Sequence, residues 1–340
     1  MGIFEEEYPS LESYFRSVIL FGRNSASYKF ALARSLLSLS NQKNTFISLE
    51  ELSVPFSTHI TEHLKINDKQ TTSRSSTFLN TCRDFNNGSV SQAQLIQATE
   101  KYGFVNVLDA FHNVNNVALP IKFFDVVKEG RKKGIVLTDD IYKINESSQF
   151  NNLDFEIEGR WRLVETAWSL DLTPNLLTVD YDNKNNTLFI NSEIRRIDIT
   201  SSREGLNGYQ KGKCFYCFDN ITIDPSSDDL ADVDHFFPHT LQSMTQINLN
   251  GVWNLVLSCQ SCNRGIGGKF AQIPRTRYLD RLHKRNNFFI DSHHPLRETL
   301  INQTGKTEFQ RASFLRDIDK FAINKLIVRW EPIYEHEHAF

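Results

Sequence analysis

Apolar residues recur at three- and four-residue spacing along much of the first two hundred positions, the period of an amphipathic helix. The segments 11–21 ("LESYFRSVILF") and 25–40 ("SASYKFALARSLLSLS") predict helices, and so does 155–170, which carries Trp161 and Trp168. Ser48 with Glu51, and Ser91 with Gln94, have the spacing of N-terminal capping boxes. The run 176–190 alternates on either side of a polar "DNKNN" and predicts a β-hairpin. The polar stretch 67–77 reads as a loop, and 309–330 as one or two closing helices. After 200–210 the pattern changes: "VDHFF" alternates like a strand until Pro238 ends it, and "VWNLVLSC" is a short apolar segment leading into a cysteine pair. The expected fold class is α+β. A mainly helical domain over 1–203 would be followed by a second domain over 204–290 and a C-terminal helical extension over 291–340 packed on the rest.

Length and composition agree with this division. The chain has 340 residues, enough for about two domains, and its 26 phenylalanines favour aromatic-rich cores. No apolar run reaches the roughly 20 residues of a membrane span. The N-terminus "MGIFEEEYPS" is acidic and lacks a signal-peptide core. The expectation is a cytoplasmic protein with no membrane partner. Net charge is only −3, yet positions 264–285 hold seven basic residues against one acid, Asp280. A local basic footprint of this kind can serve a nucleic acid even when the whole chain is near neutral.

Four of the five cysteines form two C-x-x-C pairs, Cys214/Cys217 and Cys259/Cys262, with 41 residues between them. In a cytosolic chain such paired knuckles point to zinc rather than disulfides, and a closed all-thiolate shell is structural. The fifth, Cys82, reads as a buried small hydrophobe. Between and just beyond the knuckles stand Asp232, Asp234, His235, His239, Asn254 and Asn263. Neighbouring residues of a regular strand face opposite ways, so Asp234 and His235 can share one pocket only at a bulge or bend. Paired His293 and His294 read as part of a loop leading into a helix, and "EHEH" at 335–338 as a solvated, frayed tail.

The ordered series "CFYC", "VDHFFP", "NLVLSCQSCNRG" resembles the HNH endonucleases, whose fold is the ββα-metal domain, and the spacing also resembles the HNH domain of CRISPR effector nucleases. The resemblance covers roughly residues 208–270. It implies that His235 is the general base, that Asp234 and Asn263 bind one divalent cation, Mg²⁺ or Mn²⁺, and that Asn254 pins the loop that orients His235. It further implies structural Zn²⁺ on the four cysteines. The chemistry is coherent: an imidazole with a pKa near about 6.5 suits base duty at neutral pH, and a hard cation suits oxygen ligands. His239 is an extra contact to metal or phosphate, or a histidine serving only its own hydrogen bonds; Asp232 supports the site or is simply solvated. The sequence departs from the family pattern at "NRGIGGK", where Lys269 lies six residues after Asn263. Arg264, Lys269, Arg275, Arg277, Arg281, Lys284 and Arg285 are the candidate nucleic-acid contacts; the alternative for such a charge run is a solvated helix face.

The function expected is metal-dependent hydrolysis of DNA phosphodiester bonds, in the manner of restriction or anti-phage defence nucleases, with the N-terminal domain engaging a protein partner. The alternatives are an RNA-cleaving nuclease and a zinc-ribbon nucleic-acid-binding module without catalysis.

Overall fold

Ser10, Ser48, Ser76 and Ser91 each begin a helix by accepting, on the side-chain oxygen, a hydrogen bond from the backbone amide three residues ahead. These caps satisfy amides that have no intrahelical partner. Both predicted capping boxes are present, with Glu51 and Gln94 reaching back to their cap residues. The computed structural model describes residues 9–340 apart from 22–24, 43, 74, 115–116, 131, 171, 175–176 and 192–195. The acidic N-terminal reading therefore falls largely outside the described residues. Among those described, no helix is long and apolar enough to cross a membrane. The chain divides into two compact units, Met1–Ile157 and Glu158–Phe340. The division lies inside the predicted helix, which runs Phe150–Ser169, and not near the expected 203.

In the first unit the predicted helices appear as Leu11–Leu20 and Tyr28–Leu39. Ser48 starts a longer one, Leu49–Ile66, followed by Thr77–Asn86 and Gln92–Ala98. Its core is aromatic: Phe56 stacks on Phe78 at 5.7 Å and meets Phe104 at 4.9 Å and Tyr28 at 6.1 Å. Such pairs add to the stabilisation from burial alone. Cys82 is buried as a free thiol, and desolvation pushes its pKa up to about 12, so it behaves as a small apolar side chain. A three-stranded antiparallel sheet, Phe46–Ser48 beside Lys132–Leu137 beside Phe124–Glu129, was not anticipated. Gly134, on the central strand, lets Phe46–Ser48 pack closely beside it, since a Cβ there would sit 2.3 Å from the Ile47 carbonyl oxygen.

In the second unit the predicted hairpin forms from Asp180–Asp182 and Thr187–Asn191, and Arg196–Ser201 adds a third strand. Helix Ser202–Gln210 follows. The central feature is an antiparallel strand pair, Asp232–His235 against Leu255–Ser258, in the register Leu255↔His235 and Val256↔Asp234. Gln210 lies along the outer edge of the second strand: its Oε1 accepts from the Leu257 amide at 2.9 Å and its Nε2 donates to the Leu257 carbonyl at 2.7 Å. Helices Thr276–Asp291, Arg297–Thr304 and Glu308–Leu326 complete the unit, the last being the closing helix. His294 is buried in the loop before Arg297–Thr304, where its Nδ1 accepts from the Leu296 amide at 3.2 Å.

The "EHEH" tail is not frayed. His336 donates its amide to the Cys217 carbonyl at 2.8 Å, Glu335 pairs with Arg277 and Arg281, and the Phe340 ring lies 4.8 Å from that of Phe218. Charged residues gave the segment the composition of a solvated end, but Glu335 has a buried cation to meet.

Candidate metal centre and the adjoining His235 site

The two cysteine knuckles flank the strand pair in sequence and meet at one end of it, where Ser258 lies opposite Asp232. Cys214 and Cys217 lie in a tight turn in which the Cys214 amide donates to the Asp219 carbonyl at 2.8 Å and the Phe218 amide donates to the Cys214 carbonyl at 3.1 Å. Phe218 takes a left-handed φ of 60° to complete it. Cys259 caps the short helix Gln260–Arg264, its sulfur accepting from the Cys262 amide at 3.4 Å. The Phe215 amide donates to the Leu257 carbonyl at 2.9 Å, tying the first knuckle to the strand that feeds the second. The four sulfurs lie within 4.8 Å of one another, Cys217 and Cys259 at 3.7 Å. Thiolates about 2.3 Å from a tetrahedral zinc stand about 3.8 Å apart. Donor type, number and spacing fit, and the group can hold a structural metal ion such as zinc. Among the described residues this is the one group of three or more His, Cys, Asp or Glu side chains placed to hold a metal.

Strand parity sends His235 and Asp234 to opposite faces of the pair. His235 lies on one face, buried to 9% exposure, with Nε2 2.9 Å from Asn250 Oδ1 and its ring edge-on to those of Tyr181 and His239 at 6.0 and 5.5 Å. An amide oxygen facing Nε2 makes that nitrogen the protonated one and leaves the lone pair on Nδ1. Burial drives the His235 pKa down to about 4, so the ring is neutral at neutral pH. His239 is exposed. Asn254 is fully buried and braces the chain just after His235: Oδ1 accepts from the Phe237 amide at 2.8 Å, and Nδ2 donates to the carbonyls of Phe237 and Leu249 at 3.0 and 2.9 Å.

Asp234 faces the other way. Its Oδ2 accepts from the Tyr216 hydroxyl at 2.6 Å, and its Oδ1 lies 3.2 Å from Lys269 Nζ. Burial raises its pKa, and Lys269 offsets this only in part. Asn263 is engaged elsewhere, its Nδ2 donating to Asp232 Oδ2 at 3.0 Å, the oxygen that also accepts from Arg264 Nε at 2.9 Å. Asp234 and Asn263 are thus engaged with different partners: the carboxylate with a tyrosine and an ammonium, the amide nitrogen with a different acid.

The basic run divides into a buried part and an exposed part, where sequence offered seven nucleic-acid contacts. Lys269, Arg281 and Arg285 are buried. Arg281 donates to the carbonyls of Phe215 and Tyr216, bracing the first knuckle from beneath, and Arg285 donates to those of Trp253 and Leu255 at 3.2 and 2.8 Å. These three serve the scaffold, each donating to backbone carbonyls. Arg264, Arg275, Arg277 and Lys284 are exposed; the first three pair with Asp232, Glu331 and Glu335. Asn250, Tyr216 and Tyr181 were missed. Tyr216 stands inside the quoted "CFYC" but reads there as core, and nothing in "NLNG" marks Asn250 as facing a histidine fifteen residues earlier.

Comparisons of the chain with protein-family models, with curated proteins and with solved structures find no match.

Proposed function

We propose that the second unit is a phosphodiester hydrolase acting on DNA, of the HNH type that residues 208–270 resemble, with zinc on the four cysteines as its brace. The single observation that carries the reading is His235: a buried, neutral imidazole whose Nε2 faces Asn250 and whose following loop is fixed by Asn254. In the proposed reaction His235 Nδ1 takes a proton from a water, the resulting hydroxide forms the new bond to phosphorus, and the 3′-oxygen leaves with the broken bond's electron pair. The test is nicking of supercoiled plasmid by the wild type and by His235→Ala, with Mg²⁺ or Mn²⁺ supplied and with RNA digested in parallel. Loss of the base is expected to slow cutting on the order of 10²- to 10⁴-fold; equal cutting removes His235 from the mechanism.

A second reading, a zinc-braced nucleic-acid-binding module without catalysis, draws support from Asp234, whose carboxylate is consumed by Tyr216 and Lys269. Retained DNA affinity with no cutting of any substrate would select it.

A further inference from the structure

We infer that the ammonium of Lys269 is a built-in cation standing beside Asp234 where the HNH resemblance implies a divalent metal, so that this chain takes no divalent ion at Asp234. A lysine ammonium has three N–H donors. Here Nζ lies 3.2 Å from Asp234 Oδ1, 3.0 Å from the His235 carbonyl oxygen and 3.3 Å from the Phe270 carbonyl oxygen. One carboxylate and two backbone carbonyls are the donors that a hard cation would use, and all three point at nitrogen. The side chain has no exposed surface. A charge so placed is tolerable only with a partner and filled hydrogen bonds, and both conditions are met.

The loop that delivers Lys269 is shaped for the purpose. The Lys269 amide donates to the Cys262 carbonyl at 2.7 Å, anchoring the residue to the second cysteine knuckle. A Cβ on Gly268 would fall 2.9 Å from the Gly265 carbonyl oxygen and 3.0 Å from that of Ser261, so only glycine lets the chain fold this tightly before the lysine turns inward. Phe270 follows at a left-handed φ of 45°. Tyr216 occupies the other carboxylate oxygen. A divalent ion approaching Asp234 would meet a resident positive charge and two carboxylate oxygens that each already hold a donor. By the same bonds Lys269 holds the His235 backbone, which makes it a positioning residue.

The test reads cation binding, so its failure and that of the hydrolase reading are separable. The zinc-loaded full chain is titrated with Mn²⁺ and free ion is counted by electron paramagnetic resonance, for the wild type, Asp234→Asn, Lys269→Ala and Lys269→Ala combined with Asp234→Asn. The expected result is that wild type and Asp234→Asn titrate alike, and that Lys269→Ala gains one Mn²⁺ per chain, bound at least about tenfold more tightly than by the wild type, which the double variant loses. A wild-type Mn²⁺ that disappears in Asp234→Asn overturns the inference, and so does a folded Lys269→Ala that gains nothing. Lys269→Met, which fills the vacated volume, stands in if the alanine variant does not fold. Should neither fold, the comparison of wild type with Asp234→Asn decides alone.

Discussion

Asn254 holds Phe237 by both ends of its backbone, accepting its N–H at 2.8 Å and donating to its carbonyl at 3.0 Å. One side-chain amide thus fixes the turn that follows His235, from a position 17 residues later in the chain.

Replacing Asn254 with alanine leaves buried backbone groups of Phe237 and Leu249 without partners, each costing about 1–3 kcal/mol. A loss of at least about 2 kcal/mol in urea unfolding is expected, along with movement of His235. A midpoint unchanged from wild type would mean that the turn is held by other bonds.

The cysteine group predicts about one zinc per chain in purified protein. Cys214→Ser or Cys262→Ser should lower that ratio several-fold and destabilise the second unit, because metal affinity at such sites is folding free energy. Elemental analysis beside a thermal melt checks both. A metal-free chain that melts like the wild type would remove the ion from the account.

His235, His112 and His294 are held neutral by the fold. His235 and His112 are each depressed to about 4, chiefly by burial, and His294 is pushed well below its ordinary value for the same reason. His112 Nε2 and His294 Nδ1 each accept from a backbone amide, which protonation would forbid. The unfolded chain, with histidines near about 6.5, binds more protons below that pH, so stability is full above it and falls as pH drops toward about 4. A total loss on the order of a few kcal/mol is expected across that window, read from denaturant melts at pH 7 and pH 4.5. A flat profile would contradict the burial.

Glu335→Ala should unpair the buried Arg281, which braces the Phe215 and Tyr216 carbonyls. Breaking a buried pair costs about 3–5 kcal/mol; the lower end is expected here, because Glu335 is 14% exposed. Loss of zinc from the same variant would tie the tail to the metal centre.

The sequence made some of this arrangement readable and hid the rest for physical reasons. Capping boxes and helical periods are local, so Ser48–Glu51, Ser91–Gln94 and the segments around 11–21 and 309–330 could be placed directly. The cysteine spacing needs only two knuckles and one chemistry. The parity of Asp234 and His235 was also legible, and it decided which side of the strand pair each serves. What charge alone could not reveal was burial. Arg281 and Arg285 share one helical face with Tyr278, Leu282 and Phe289, so the periodicity that placed the early helices would have separated them from exposed Arg275 and Lys284. The strands Phe124–Glu129 and Lys132–Leu137 were hidden by the charged residues at their shared turn. Lys269 was recognised as out of pattern, but its three oxygen partners come from a tertiary approach that no spacing rule encodes.

The amide of Gln210 has a consequence beyond holding a helix to a strand. A two-stranded ribbon leaves rows of backbone donors and acceptors that another chain can zip onto, the usual route to self-association. At Leu257 both groups are already taken, the N–H by Gln210 and the carbonyl by Gln210 and Phe215. A foreign β-segment arriving there would find that rung closed.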